Sequence, residues 1–440
     1  MTAQLAVLTR EDDPPEPPAE PGVGLRPLDL GELHSSLSDP TLASMGLLNE
    51  VTERFPDAVS FAPGRPYLHS FAPNEDLPRY LRAFTDYVGA EKARTQLFQY
   101  GRTKGLIHEL IAANLAVDER IEADAESIVV TSGCQEAMFI VCRALRSDER
   151  DVLLAVAPTY VGMTGAARLV DLTVVPVRSG DDGIDLGDFV AKITEARDQG
   201  LRPRACYLVP DFANPTGISL SLSTRLRLLD IAADHGVLLI EDNPYGFFGD
   251  AMPTLKSLDR HGVVVYLGSY AKTVMPGARI GYVIADQPVT GGGTFADELA
   301  KLKSMVTVNT SPIAQAVIGG RLIDCGFDLR AANASEIAFY GGNLRVMLDG
   351  LAERFAGTAG VRWNQPGGGF FVVLSVPFHV DDDLLEYSAR NHGVIWTPMH
   401  HFYGGRGGYQ QIRLSCSVLR PEQISVGLDR LAALITDELK

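Results

Sequence analysis

Lys272 stands just past the apolar, β-branched run Val263-Val264-Val265-Tyr266-Leu267, which glycine closes on both sides. Such a run reads as a buried strand. A lysine at its end is in a place where desolvation lowers the amine pKa and sharpens its nucleophilicity. Ser269 precedes it by three positions and Arg279 follows by seven, with Pro276-Gly277 setting a tight turn between them. A nucleophilic amine flanked by a hydroxyl and a guanidinium suits a phosphorylated aldehyde. The amine forms an imine and the other two groups hold the phosphate. Taken alone, such a lysine reads more readily as an ordinary surface residue, and it is the constrained spacing to Arg279 that favours the chemical reading.

Other groups fall at comparable places. The run Val237-Leu238-Leu239-Ile240-Glu241 ends in Asp242. An ionised aspartate at the tip of a buried strand needs a cationic partner, and a protonated pyridine nitrogen is one. Asn214 opens the turn Asn214-Pro215-Thr216-Gly217 after the strand-like Cys206–Pro210. Both positions belong to the sheet edge where ligands gather in open α/β folds. Ile128-Val129-Val130, then Thr131-Ser132-Gly133-Cys134-Gln135, then an apolar helix face at Met138, Val141, Cys142 and Leu145 make a strand, a glycine turn and a helix N-terminus. Free backbone N–H groups and the helix dipole favour an anion there. Arg413 sits inside the alternating run Gln411–Cys416 and is expected to be buried on one side.

At Gly268–Gly281 the sequence resembles the class I/II aminotransferases, pyridoxal-phosphate enzymes of fold type I. Their run is Ser-x-Ser-Lys followed by Pro-Gly-x-Arg-x-Gly, and Ala271 stands where the second serine is common. The resemblance extends over roughly residues 30–435 and includes Gln99-Tyr100…Gly105, Asn214-Pro215-Thr216-Gly217 and Pro366-Gly367-Gly368-Gly369. It implies that Lys272 holds pyridoxal 5'-phosphate as an internal imine and then moves a proton from the substrate Cα. Asp242 would keep the ring nitrogen protonated, and Asn214 and Tyr245 would bond the ring oxygen. Tyr160 would stack on the ring. Ser132, Gly133, Cys134, Gln135, Ser269, Arg279 and a neighbouring subunit's Tyr100 would hold the phosphate. Arg413 would grip the α-carboxylate, with Asn214, Gly64 and Arg65 also facing the substrate.

The implied reaction moves an amino group between an L-amino acid and a 2-oxo acid. The nearest subgroup includes 2-aminoadipate and kynurenine aminotransferases. Cys134, Ala271 and the bulky Met399-His400-His401 depart from the family pattern. They keep open another reaction on the same scaffold, such as an amino acid oxidase, decarboxylase or cyclase. A non-catalytic cofactor-binding effector domain is a further alternative.

The alternation of strands and helices over about 127–290 implies an α/β fold. The expected architecture is a mostly parallel seven-stranded sheet with helices on both faces, plus a smaller α+β domain. The expected division is a disordered tail at 1–25, an N-terminal segment with part of the small domain at 26–85, a large cofactor-binding domain at 86–330 and a C-terminal small domain at 331–440. The family further implies a homodimer with composite active sites.

The 440 residues carry 39 Lys and Arg against 55 Asp and Glu, a net charge of −16, which makes nucleic acid and anionic membrane poor partners. No apolar run approaches the ~18 residues of a membrane span. The start, acidic and Pro-rich, has no apolar stretch of a signal peptide. Five cysteines without pairing spacing suit reduced thiols and a cytoplasmic location. Nine histidines show no metal-ligand pattern, and the one adjacent pair, His400-His401, would point apart in an extended chain. No metal is expected.

Overall fold

A computed structural model describes residues 27–39, 51–67, 73–180 and 182–440. The tail expected at 1–25 lies outside the described residues. The chain divides into two units at Asp39. In the first, the 3-10 turns Leu30–Glu32 and Ser35–Ser38 are capped by the Asp29 and His34 side chains.

The second unit holds the strands β1 (Val59–Ser60), β2 (Ile128–Thr131), β3 (Asp151–Ala157), β4 (Thr173–Arg178), β5 (Arg202–Leu208), β6 (Leu238–Asp242), β7 (Val264–Ser269), β8 (Gly281–Ile284), β9 (Arg362–Trp363), β10 (Phe371–Ser375), β11 (Val394–Ile395), β12 (Thr397–Pro398) and β13 (Gln411–Ser415). Seven form one sheet in the order β2-β8-β7-β6-β5-β3-β4. Strands β3 to β7 pair in parallel, and β8 runs antiparallel to both β2 and β7. The central strands β3, β6 and β7 are mostly apolar and buried because both faces are covered, while the edge strand β4 is more exposed. Leu153 and Ala155 pack on one face with Met138 and Val141 of helix α1 (Cys134–Leu145), and Leu154 packs on the other with Leu228 and Leu229. The expected fold class is the one observed.

A second, antiparallel sheet has the order β12-β13-β10-β9, and β1 pairs in parallel with β11. Its core gathers Trp396, Leu374 and Leu414 with Met347, Leu428 and Leu431 from the helices Ala334–Phe355 and Pro421–Glu438.

Period-two alternation separates two adjacent carboxylates at the end of β6. Glu241 turns away from the sheet edge and accepts the N–H groups of Leu255 and Lys256 at 2.8 and 2.7 Å. Asp242 turns the opposite way, into a cavity at the C-terminal ends of β5, β6 and β7.

Candidate active site

Lys272 lies at the floor of this cavity of about 370 Å³, and its Nζ donates to the Gly64 carbonyl at 2.6 Å. Burial lowers the amine pKa to about 8, helped by the Arg279 and Arg413 charges and opposed by Asp242. Ser269 closes β7 beside it, and its Oγ accepts the Ala271 N–H at 3.2 Å. After the 3-10 turn Pro276–Ala278, Arg279 takes a left-handed backbone with φ 52°. That is an uncommon conformation for a side chain of this size. It lays the guanidinium against Gly133, where any Cβ would collide with it. Among the described residues no carboxylate pairs with Arg279 within 4.0 Å.

Asp242 is 4% exposed and is met by neutral donors only: Tyr207 Oη–H at 2.7 Å and Cys134 Sγ–H at 3.5 Å. Burial raises its pKa to about 6, against the lowering effect of those two bonds and of the Lys272 charge. Among the described residues no cation pairs with it directly, and the Lys272 charge acts on it only from a distance, so the carboxylate faces the cavity open to a cationic partner.

Arg413 leaves β13 at the opposite wall. Its Nη1 donates to Asn214 Oδ1 at 2.7 Å, and its Nη2 to the Ala62 carbonyl at 2.6 Å and to Thr397 Oγ1 at 3.1 Å. The guanidinium lies 4.6 Å from the Phe371 ring centre and 5.0 Å from that of Phe402. Its Nε is buried without a partner. Asn214 also lines the cavity beside the Tyr245 hydroxyl. Burial is the largest influence on that hydroxyl and raises its pKa, so Tyr245 stays a hydrogen-bond donor.

Of the residues singled out in the sequence, Gly64, Arg65, Cys134, Gln135, Tyr160, Asn214, Asp242, Tyr245, Ser269, Lys272, Arg279 and Arg413 line this one cavity. Ser132 and Gly133 stand behind it. The Ser132 N–H is taken by Glu136, whose carboxylate pairs with the buried Lys303 at 3.0 Å. The Gln135 side-chain amide donates to the Gly162 carbonyl at 2.6 Å, which leaves its backbone N–H at the start of α1. Tyr100 is 86% exposed and does not line the cavity of its own chain. The sequence reading missed Tyr207, Thr397, Phe371 and Phe402. Tyr207 could have been found, since it lies one residue before the end of β5, in the strand next to Asp242.

One expectation is corrected. His400 and His401 do not point apart, because Met399–Tyr403 is a 3-10 turn and not an extended segment. Both imidazoles turn toward Asp382.

The family model Aminotransferase class I and II matches residues 68–431. The (S)-3,5-dihydroxyphenylglycine transaminase of Amycolatopsis orientalis is 56% identical over 420 residues, covering 94% of this chain and 96% of that protein. The kynurenine aminotransferase of Pyrococcus horikoshii, solved in complex with PMP, is 30% identical with a TM-score of 0.79, covering 90% of this chain and 94% of that one. LysN, the α-aminoadipate aminotransferase of Thermus thermophilus, is 28% identical with a TM-score of 0.74, covering 90% of this chain and 97% of that one.

Proposed function

The chain belongs to the class I and II aminotransferases and uses pyridoxal 5'-phosphate to transfer amino groups, and on that premise we propose that its amino donor is an arylglycine, an amino acid with the aromatic ring directly on Cα. The carrying observation is the position of Phe402, 5.0 Å from the Arg413 guanidinium. A substrate whose carboxylate lies on Arg413 presents the next carbon's substituent to aromatic surface at once. Tyr160, Val161 and Met138 extend that apolar wall, and Thr52, Glu53 and Arg65 add polar groups suited to ring hydroxyls. The relative named for (S)-3,5-dihydroxyphenylglycine supports the same reading.

The donor set fits the cofactor. Arg279 without a carboxylate partner and the N–H groups opening α1 suit its phosphate. Asp242, a buried carboxylate met only by neutral donors, suits a protonated ring nitrogen. Tyr245 and Asn214 suit the ring hydroxyl, and Tyr160 suits its face. When bound, the cofactor supplies an electron-accepting ring that stabilises negative charge at the substrate Cα. Lys272 carries it between turnovers. With an amine pKa brought near 8, Lys272 Nζ would also take the proton from the substrate Cα and deliver it to the cofactor's C4′ carbon close to neutral pH. Arg413 fixes the carboxylate so that the Cα–H bond is held toward Lys272. Phe371, Phe402 and Tyr160 exclude water around the reacting carbon.

We place this chemistry in a homodimer. Phe98, Tyr100 and Met305 are 81%, 86% and 85% exposed, large apolar side chains that association with a second copy would cover. Tyr100 would then serve the partner's phosphate. Unpaired cysteines at all five positions suit the cytoplasm.

The substrate reading is tested by kcat/KM over a panel of hydroxylated phenylglycines, kynurenine, 2-aminoadipate and leucine with a common 2-oxo acid. Phenylglycines should lead by about tenfold or more. A lead for 2-aminoadipate or leucine would overturn it.

A further inference from the structure

Outside the active site, one cluster of side chains has the composition of a metal centre. The His401 Nε2 lies 2.8 Å from Asp382 Oδ1, and the His400 Nε2 lies 3.5 Å from the same oxygen. The three ligand atoms all fall within 4.8 Å of one another. Coordination of one ion at ~2.0–2.2 Å sets ligand atoms roughly 3 Å apart, so small adjustments complete the geometry.

The cluster is built and not incidental. Met399–Tyr403 winds as a 3-10 turn, with Met399 and Phe402 buried on its inner side. The two imidazoles leave the same turn with ring centres 4.1 Å apart. Tyr409 stacks on His400 at 5.0 Å with planes 8° apart, which fixes that ring's orientation. The Asp381 side chain caps the helix that begins at Asp382, which sets the carboxylate's position. The side chains of His400 and His401 are only 14% and 6% exposed, while Asp382 is 43% exposed, so the cluster is walled by protein and open to solvent at its carboxylate.

A single carboxylate oxygen does not satisfy two imidazoles equally. The His401 bond is short, whereas the buried His400 Nε2 reaches the same oxygen only at 3.5 Å and, among the described residues, makes no well-formed hydrogen bond. A cation between the three atoms removes that deficit. Two imidazoles and one carboxylate, with the remaining positions open to water, suit a borderline divalent ion such as Zn²⁺ and do not suit Mg²⁺ or Ca²⁺, which prefer all-oxygen sets.

We propose that Asp382, His400 and His401 form a divalent transition-metal site that pins the Met399–Tyr403 turn. The consequence reaches the active site through one residue. Phe402 follows His401 directly, packs its ring on Arg413 and accepts the Thr159 N–H through its carbonyl at 2.8 Å. The ion lies outside the catalytic cavity and takes no part in the chemistry. It holds the wall against which the substrate is placed.

The test uses the chelator-stripped holoenzyme and Zn²⁺ or Co²⁺ as the probe. Calorimetric titration with Zn²⁺ should show one ion per chain with a dissociation constant in the roughly micromolar range or tighter. Asp382→Asn and His401→Gln should each weaken binding by about tenfold or more. His261→Gln, which removes an exposed histidine paired with Asp230 and outside the set, should leave it unchanged. Melting temperatures of the metal-free variants equal to that of the native enzyme would show that the fold is intact. Variants that melt early are replaced by the Co²⁺ spectrum of the native enzyme, which should show nitrogen and oxygen ligation. Absence of saturable binding, binding unchanged in both variants, or a thiolate-to-cobalt band assigning the ion to cysteine would each overturn the site.

Discussion

The Nζ of Lys272 and the carbonyl oxygen of Gly64 meet at 2.6 Å, joining the end of a central strand to a segment 208 residues earlier. That approach depends on Gly64 having no side chain. A Cβ there would lie 2.5 Å from the Phe371 ring, which itself packs edge-on against Tyr245 and under Arg413. Gly64→Ala must therefore displace either the Ala62–Arg65 segment or Phe371. We expect a loss of stability of about 1–3 kcal/mol from overpacking and a fall in kcat/KM. Thermal unfolding and initial rates check this, and native values for both would remove Gly64 from the site.

Borohydride reduction of the holoenzyme should fix the cofactor's mass on the peptide containing Lys272 and on no other. In the apoprotein, burial brings the Lys272 amine from 10.5 down to about 8, so its acylation rate should rise through the lower pH and not the higher one. Mapping the label by mass spectrometry across pH decides both points. A lysine with an ordinary titration at this position would contradict the buried, doubly cation-flanked environment.

Asp242→Asn should retain cofactor and lose most activity, because an amide cannot hold a ring nitrogen protonated. The same substitution has a second signature in the apoprotein. Burial raises the folded-state pKa of Asp242 from 3.8 to about 6. A raised carboxylate pKa contributes stability that is fully present below the unfolded value and lost as pH rises through the folded one. The native apoprotein should therefore lose stability relative to apo Asp242→Asn between about pH 4 and 7, by an amount on the order of 3 kcal/mol. Denaturant melts of both proteins at several pH values test this. A constant difference across that window would mean that Asp242 is held ionised in the apoprotein by a direct cationic partner, beyond the distant Lys272 charge.

Much of this site is legible from the chain because its polar residues interrupt or end runs that are apolar for a structural reason. Asp242 ends a strand buried on both faces, Lys272 follows another, and Arg413 breaks an alternating one. What is not legible depends on distance or on local winding. The Tyr207 bond to Asp242 needs the β5–β6 register, and the Gly64 and Ala62 carbonyls reach the site only through the fold. Glu241 and Asp242 are equivalent as text, and only the pleat assigns one to a helix start and the other to the cavity. His400 and His401 converge because the turn is helical, a winding that Pro398 and the glycines after Tyr403 do not announce.

Arg413→Lys keeps the charge and loses the fork that reaches Asn214, Ala62 and Thr397 together. A lysine cannot make those bonds and a bidentate carboxylate contact at once. We expect a loss of roughly 2 kcal/mol in substrate binding, about 30-fold in KM, with a smaller change in kcat. The cofactor's absorbance in the resting enzyme should stay as in the native protein. An unchanged KM for every amino donor would place the carboxylate elsewhere.

Tyr100 provides the test of the dimer. It is 86% exposed and stands apart from the cavity that Lys272 floors, so a role at the phosphate requires a second chain. A twofold interface is isologous, so each protomer lends its Tyr100 and receives one. Lys272→Ala and Tyr100→Ala should each give nearly inactive homodimers. In a heterodimer of the two, one site combines both defects and is dead. The other combines a native Lys272 with a native Tyr100 from the partner. Unfolding, mixing equal amounts and refolding should therefore restore up to about a quarter of native sites. If Tyr100 serves its own chain, every site keeps one defect and mixing restores nothing. If Tyr100→Ala alone retains native activity, the residue is surface packing and the composite site is wrong. Co-expression with two affinity tags isolates the heterodimer, so its activity per site can be read without counting on complete exchange.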